Sequence, residues 1–181
     1  MNFLIFLICI PINLLLIVIS TIIVPILPAL ATQQEGWLNN CVSWGVGPRL
    51  PKWLNWFMTP DNSLDGDSPF IEINGISYLS KIKWLIRNPA YGFAVRYIQA
   101  PYNIKVYGDT TIQDNKNAKE GWCLVTANGL FTFKYVKRIF KTNRCIYITM
   151  GWGVLGLVAS EPKPKNWMAL FLFSPRISGF Y

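Results

Sequence analysis

The chain has 181 residues, a formal net charge of +8 and 52% hydrophobic residues, and it contains no histidine. The absence of histidine removes the commonest general base and the commonest transition-metal ligand. The P-loop, G-x-G-x-x-G, G-x-S-x-G and H-E-x-x-H patterns are also missing. We therefore expect a non-enzymatic protein with no cofactor and no small-molecule substrate.

The chain begins with a long uncharged segment: Glu35 is its first charged residue, and Phe3 to Val24 are almost all Leu, Ile, Val or Phe. A helix of about 22 residues is about 33 Å long, enough to cross a hydrocarbon core of about 30 Å. We predict a transmembrane anchor over residues 1–31. Two alternatives remain open. Ala29-Leu30-Ala31 has the shape of a signal-peptidase site, and a buried helix of a soluble protein has a similar composition.

Basic residues flank the anchor on one side only, since Arg49 and Lys52 follow it and no Lys or Arg precedes it. The positive-inside rule then favours a C-terminal domain on the cytoplasmic side of the membrane. The cysteines have no C-x-x-C spacing, and we expect free thiols in a reducing compartment. In an oxidising compartment Cys123–Cys145 would be the expected pair. The four cysteines are Cys9, Cys41, Cys123 and Cys145.

Residues 32–51 are rich in Gly, Pro and Asn and are predicted to be a linker, followed by one aromatic-rich domain over residues 52–181. Two short helices are predicted in that domain. The first covers Lys52 to Met58, where aromatic residues recur at helical spacing. The second covers Ser80 to Arg87 and ends at Asn88-Pro89, because Pro forbids continuation of a helix.

The second half is rich in β-branched and aromatic residues and is predicted to form strands. Asn128-Gly129 is a strong hairpin signal, and residues 141–144 suit another turn. Residues 145–160 are uncharged, but their length and alternation favour a strand over a second membrane span. The predicted fold class is α+β, with a mainly antiparallel sheet after the N-terminal helix. The predicted strands are Ile104–Tyr107, Trp122–Ala127, Leu130–Phe140, Cys145–Val154 and Asn166–Ser174, the last one ended by Pro175.

An acidic segment follows the first short helix, and its spacing matches the EF-hand pattern D-x-S-x-D-G with Glu at the twelfth position. Its five candidate calcium ligands are Asp61, Ser63, Asp65, Asp67 and Glu72. Pro60 stands where an incoming helix should end, and Pro69 is expected to block the outgoing one. We therefore favour a turn without metal, in which Asx side chains bond backbone amides.

Two groups of basic and aromatic residues are candidate contact surfaces. The first lies close to the anchor, and a headgroup region favours its mixture of Lys and Trp. Its members are Lys52, Trp53, Trp56, Phe57, Lys81, Lys83 and Trp84. The second would suit nucleic acid if its cations and rings shared one platform. Its cations are Lys134, Lys137, Arg138, Lys141 and Arg144, with Phe133, Tyr135, Phe140 and Tyr147 between them. A solvated strand face is the alternative for this second group.

Three segments carry a resemblance to known sequences. They are Trp53-Leu54-x-Trp56-Phe57-x-Thr59-Pro60-Asp61-Asn62-x-x-Asp65-Gly66-Asp67, Trp84-Leu85-x-Arg87-Asn88-Pro89 and Phe173-Ser174-Pro175-Arg176-Ile177. Together they resemble a family of small uncharacterised proteins of tailed bacteriophages and prophages. The resemblance implies a phage origin and an apolar N-terminus before a strand-rich half, and it implies no catalytic residue.

These observations lead to one expected function and two alternatives. We expect a non-enzymatic, single-span phage protein that presents a basic, aromatic domain at the host inner membrane. Its partners would be membrane lipid and another phage or host protein. The alternatives are a nucleic-acid-binding protein and a structural component of the virion.

Overall fold

The computed structural model describes residues 2–38 and 42–181, which fold into two compact units. The sheet unit comprises Met1–Leu7 and Arg96–Tyr181, and the helical unit comprises Ile8–Val95. The predicted α+β class with an N-terminal apolar helix and a mainly antiparallel sheet is confirmed. The predicted single domain over 52–181 differs from this division, because the boundary in the sequence falls after Val95.

The apolar segment forms helix α1, Phe3–Ile23. Leu loses little conformational freedom in a helix, and Pro11 lies inside α1, as membrane helices tolerate. A short 3-10 turn, Leu27–Leu30, follows at the prolines that end the helical run.

The segment predicted to be a linker instead forms two strands, β1 (Thr32–Leu38) and β2 (Val42–Arg49), paired antiparallel. The linker prediction was therefore wrong. Gly and Pro dominate the composition here, but Val42, Trp44 and Val46 alternate with small residues, which is the strand period. Cys41 lies outside the described residues.

The rest of the helical unit consists of a 3-10 helix (Lys52–Phe57), α2 (Ser68–Asn74), α3 (Tyr78–Arg87) and α4 (Tyr91–Ala94). The two predicted helices are confirmed, and α3 ends immediately before Asn88-Pro89 as expected. The expectation that Pro69 blocks a helix was wrong. Pro69 lies in the first turn of α2, where its missing N–H costs nothing.

The core of the helical unit joins the second half of α1 to the helices that follow it. Leu16 of α1 and Val24, which directly follows α1, are buried in one cluster with residues of the 3-10 helix and α3. Burial of apolar side chains contributes roughly 25 cal/mol per Å², so this cluster holds the unit together. The cluster is Leu16, Val24, Leu27, Leu50, Leu54, Phe57, Met58, Leu64, Leu85 and Ala90.

The sheet unit contains six strands in the spatial order β3-β8-β7-β6-β5-β4, and the pairs from β4 to β8 are antiparallel. Asn128 and Gly129 both have positive φ, at 49° and 80°, as a two-residue hairpin turn requires. A short helix α5 (Gly156–Ala159) precedes the last strand. The strands are β3 (Val95–Gln99), β4 (Lys105–Gly108), β5 (Gly121–Ala127), β6 (Leu130–Arg138), β7 (Arg144–Trp152) and β8 (Asn166–Gly179).

Pro175 does not end β8, which continues to Gly179, and that part of the prediction was wrong. Within the ladder, Pro175 lies opposite Ile148 of β7. The other neighbour, β3, has five residues against fourteen in β8, so it can accompany only part of that strand. Proline cannot donate a backbone hydrogen bond, so it is tolerated in a strand where no neighbouring strand would accept that bond.

The two faces of this sheet differ. The inner face carries Cys123, Val136 and Cys145, each fully buried with Ile112 of the preceding loop in one cluster. The two cysteines are free thiols. They lie on β5 and β7 with β6 between them, so their spacing of at least ~9.6 Å exceeds disulfide reach. This arrangement excludes the Cys123–Cys145 pair considered for an oxidising compartment.

Candidate membrane-contact surface

Helix α1 carries an outward ridge along its whole length. The ridge follows the spacing i, i+4, i+7, i+11, i+14, i+18, which keeps its members on one side of a helix. Its large side chains are between 57% and 74% exposed, and every member is apolar. Among the described residues, α1 is the one helix long and apolar enough to cross a membrane. The ridge is Leu4, Ile8, Pro11, Leu15, Val18 and Ile22.

The opposite side of α1 holds its most polar residues. Ser20 is 1% exposed, and the side-chain oxygens of Asn13 and Ser20 have no hydrogen-bond partner in the described part of the chain. Thr21 is exposed but donates its hydroxyl to the Ile17 carbonyl 2.9 Å away. A water-facing helix shows the reverse pattern, with polar residues outside. The outer surface of α1 is therefore suited to an apolar medium.

The first turns of α1 belong to the sheet unit. The Asn2 amide donates to the Gly129 carbonyl at 3.0 Å, in the turn between β5 and β6. The ring of Phe6, 1% exposed, lies 5.3 Å from Phe131, 5.5 Å from Trp152 and 4.8 Å from Phe171 between centroids. Tilted and edge-to-face rings at these distances add to the stabilisation from area burial. The start of α1 is thus part of the core of this unit.

Beyond Phe6, two uncharged rows of the outer sheet face are largely apolar or aromatic and partly exposed, and the longer of them crosses five strands. One cross-strand row runs from Tyr107 to Phe173, and the next runs from Trp122 to Pro175. Ile146 and Ile177 form a third row with Lys137, which is its one charged member. Large exposed apolar patches mark interaction sites. The members of the first two rows are Tyr107, Leu124, Phe133, Met150 and Phe173, and Trp122, Tyr135, Ile148 and Pro175.

The predicted interface group near the anchor is divided by the structure. Trp53 and Trp56 are exposed on the 3-10 helix, and Lys52 and Lys83 are exposed as well. These four remain available for headgroup contact.

The other three members of that group are engaged inside the helical unit. Phe57 is in the core cluster. Trp84 is 3% exposed, and its indole donates to the Thr59 hydroxyl at 3.3 Å. Lys81 pairs with Asp65 at 3.1 Å. Helical spacing alone does not separate a buried stripe from an exposed one.

Another exposed apolar group lies where α2 passes into α3, and the sequence did not lead us to predict it. Ile73, Ile76 and Leu79 are all well exposed. The Tyr78 hydroxyl donates to the Pro25 carbonyl at 2.6 Å, which places this turn beside the end of α1. Four Ile or Leu residues at 71, 73, 76 and 79 in a short helical segment are the signal that could have found it.

The acidic segment folds as a turn whose side chains serve the helical unit. Asp67 caps α2 by accepting from the Phe70 amide at 2.9 Å, and Ser63 accepts from the Asp65 amide at 3.3 Å. Glu72 lies within α2. Burial, with the Asp61 charge as a second cause, raises the pKa of Tyr91. In residues 2–38 and 42–181, no three carboxylate or thiol groups lie close enough to hold a metal ion.

The predicted basic group is spread over both faces of the sheet and the β6–β7 turn. Lys134 and Arg138 share the inner face and donate to the backbone carbonyls of Ile112 and Thr142, at 2.6 and 2.7 Å. Lys137, on the outer face, bonds Glu120 at 2.6 Å, which raises the pKa of Lys137 and lowers that of Glu120. The other two cations, Lys141 and Arg144, are exposed in the turn region.

The rings of that group do not form one platform with its cations. Phe133 and Tyr135 lie on the outer face, whereas Tyr147 lies on the inner face, with Arg176 4.2 Å and Lys134 5.6 Å from its ring. Phe140 projects from the turn and is 92% exposed. Nucleic-acid stacking requires rings and donors on one surface, which this arrangement does not provide.

A family model matches residues 1–178, and it describes a family of unknown function (DUF7338). The chain belongs to the DUF7338 family. Because the match begins at residue 1, α1 is part of the sequence that defines this family. No curated protein and no solved structure matches the chain.

In the described part of this DUF7338 chain, four features could contact a membrane: the ridge of α1, the exposed part of the predicted interface group, the outer sheet face and the α2–α3 turn. The sequence predicted the first two of these. The outer sheet face was detectable in principle, because apolar residues occupy the odd positions of β6 from Phe131 to Tyr135. That alternation was obscured by the neighbouring lysines.

Proposed function

We propose that this chain is a non-enzymatic phage protein that α1 holds at the cytoplasmic face of the host inner membrane, where it acts by binding lipid or another protein. The observation that carries the proposal is the outward ridge of α1, which exposes only apolar side chains. Exposing such a ridge to water is unfavourable, at roughly 25 cal/mol per Å² of apolar surface, and lipid removes that cost. The phage origin rests on the resemblance of residues 53–67, and its test is the gene neighbourhood.

The cytoplasmic location has two supports. Lys52 is exposed after α1, although Arg49 is buried and donates to the carbonyls of Asn62 and Thr59, so it is not a surface charge. Cys9, Cys123 and Cys145 are free thiols, as expected in a reducing compartment.

Membrane fractionation tests the proposal. We expect the expressed chain to sediment with membranes and to resist carbonate extraction. The double variant Ile8→Asp, Leu15→Asp should move to the soluble fraction, because two carboxylates on the ridge oppose insertion. Phe140→Asp, at a more exposed position in the sheet unit, is the matched control and should remain on membranes. A wild-type chain in the soluble fraction, or a mature N-terminus at Thr32, would contradict the proposal.

A further inference from the structure

Helix α1 begins in one compact unit and continues into the other. Its first turns, with Asn2 and Phe6, are bonded and packed into the sheet unit. The chain then runs through the helical unit over Ile8–Val95 and returns to the sheet unit at Arg96. The sheet unit therefore contains both the first turns of α1 and the segment Arg96–Tyr181, which follows the helical unit in the sequence.

This connectivity conflicts with a helix that crosses the bilayer. A crossing α1 would put Asn2 and Phe6 on the opposite side from Gly129 and Phe131, unless the chain crossed again before Arg96. Within the described ranges, 2–38 and 42–181, there is no second helix able to do so. A crossing helix would therefore remove Phe6 from its aromatic cluster. We propose that the protein is monotopic: both ends of α1 lie on one side, and α1 lies along a single leaflet.

The proposal rests on the membrane attachment proposed above. The composition of the ridge indicates that it contacts lipid and not a protein partner. From Leu4 to Ile22 the ridge spans about 27 Å, at 1.5 Å per residue. No charged residue occurs before Glu35, whereas a protein partner normally meets a polar rim. The chain carries a net charge of +8, which is complementary to an anionic lipid surface.

The outer sheet face extends this lipid contact in the sheet unit. The first turn of α1 rests on that face, and a helix with its side chains is about 10–12 Å thick. If Leu4 in this first turn lies in the acyl region, the sheet face behind the turn lies near the headgroups. Trp and Tyr are favoured at that level, and Tyr107, Trp122 and Tyr135 occupy the face.

Labelling from the two sides of the membrane tests the topology. Asn2→Cys and Phe140→Cys are each made in a Cys41→Ser background of the full chain, whose other three cysteines are buried. An impermeant maleimide is applied to spheroplasts and to inverted inner-membrane vesicles. Both variants should react in the same preparation. Reaction in opposite preparations would overturn the proposal, while leaving membrane attachment intact. A chain absent from both membrane preparations would instead refute the attachment itself.

Depth measurements give an independent readout. Ile8→Cys, Leu15→Cys and Ile22→Cys carry an environment-sensitive fluorophore in vesicles of phosphatidylcholine and phosphatidylglycerol, with spin-labelled lipids as quenchers. A helix along the leaflet places all three at one depth. A crossing helix separates neighbouring labels by about 10 Å along the bilayer normal, because seven residues rise about 10 Å, so the three labels cannot share one depth. That second pattern would overturn the proposal.

A matched pair of variants tests the sheet face. Ile146 on the outer face and Val106 on the inner face are 43% and 42% exposed. Ile146→Asp should weaken binding to the same vesicles about tenfold, as expected for the loss of one buried aliphatic side chain. Val106→Asp should bind as the wild type does. Equal effects of the two variants would show that the outer face does not contact lipid.

Discussion

At the scale of single residues, Asp114 shows how one carboxylate secures the end of a strand. It accepts from the Ser178 hydroxyl at 2.5 Å and pairs with Arg176 at 3.2 Å, both on β8. Burial by itself would raise the pKa of Asp114, but the bonds from Ser178 and Arg176 outweigh it and lower the pKa. A carboxylate whose pKa is lowered by folding stabilises the folded state above its ordinary pKa, and this contribution is lost as pH falls through the folded value.

We therefore expect Asp114→Asn to lower the free energy of unfolding by about 1 kcal/mol at pH 7. The difference from wild type should become smaller as pH falls from 7 to 3, because the contribution of a carboxylate with a lowered pKa is lost in the acid range. Urea unfolding in detergent at the two pH values measures it. Glu161→Gln, which removes an exposed partner of Lys163, is the control and should change little. A difference of the same size at pH 7 and pH 3 would contradict this account.

The acidic turn leads to a negative prediction. Asp65 pairs with Lys81, Asp67 caps α2 and Glu72 lies within that helix, so the carboxylates have separate structural roles. Calorimetric titration of the full chain with calcium should show no micromolar binding. Micromolar affinity that disappears in Asp65→Ala would show that the turn is a calcium site after all, since loss of one charged ligand cripples such a loop.

At the scale of elements, the β6–β7 pairing depends on a glycine. Gly151 has φ of 111°, and a Cβ there would overlap the carbonyl oxygen of Phe131. We expect Gly151→Ala to destabilise the sheet unit by about 3 kcal/mol or more, since neither backbone can give way without breaking the ladder. Urea unfolding followed by tryptophan fluorescence measures this, because Trp152 is the next residue.

Gly129 is the matched control for that prediction. It also has positive φ, but the nearest atom to an added Cβ, in the Asn2 side chain, is 3.8 Å away. Gly129→Ala should therefore cost only the backbone strain of about 1 kcal/mol. If the two substitutions cost the same, the close approach of β6 and β7 at Gly151 is not important for stability.

At the scale of the whole molecule, we predict a membrane or protein contact rather than nucleic-acid recognition, because the cations of residues 134–144 are divided between the two faces of the sheet and a turn. We expect the full chain to bind anionic vesicles at physiological salt and to bind single-stranded oligonucleotides weakly. The full chain is required, since a chain beginning near Gly36 would lack Phe6 of the aromatic cluster. Tight oligonucleotide binding that weakens when Lys137, Arg138 and Lys141 are changed to Gln, without vesicle binding, would reverse this assignment.

Local sequence determined the elements whose causes are local. The apolar run predicted α1, the Asn128-Gly129 pair predicted its hairpin, and Asn88-Pro89 predicted the end of α3. In each case the physical reason lies within the segment itself. The apolar residues of α1 are continuous, Asn and Gly accept the positive φ of a tight turn, and Pro lacks the N–H that a helix needs.

The tertiary structure decided everything that depends on distant neighbours. Trp53 and Trp84 have similar local settings, yet one is exposed and the other is packed against Phe70. Whether α1 crosses a bilayer or lies along it depends on where its first turn is held, and that contact joins residues more than a hundred positions apart. Composition and periodicity describe what a helix can bury, but only long-range packing decides which side meets protein and which side stays exposed.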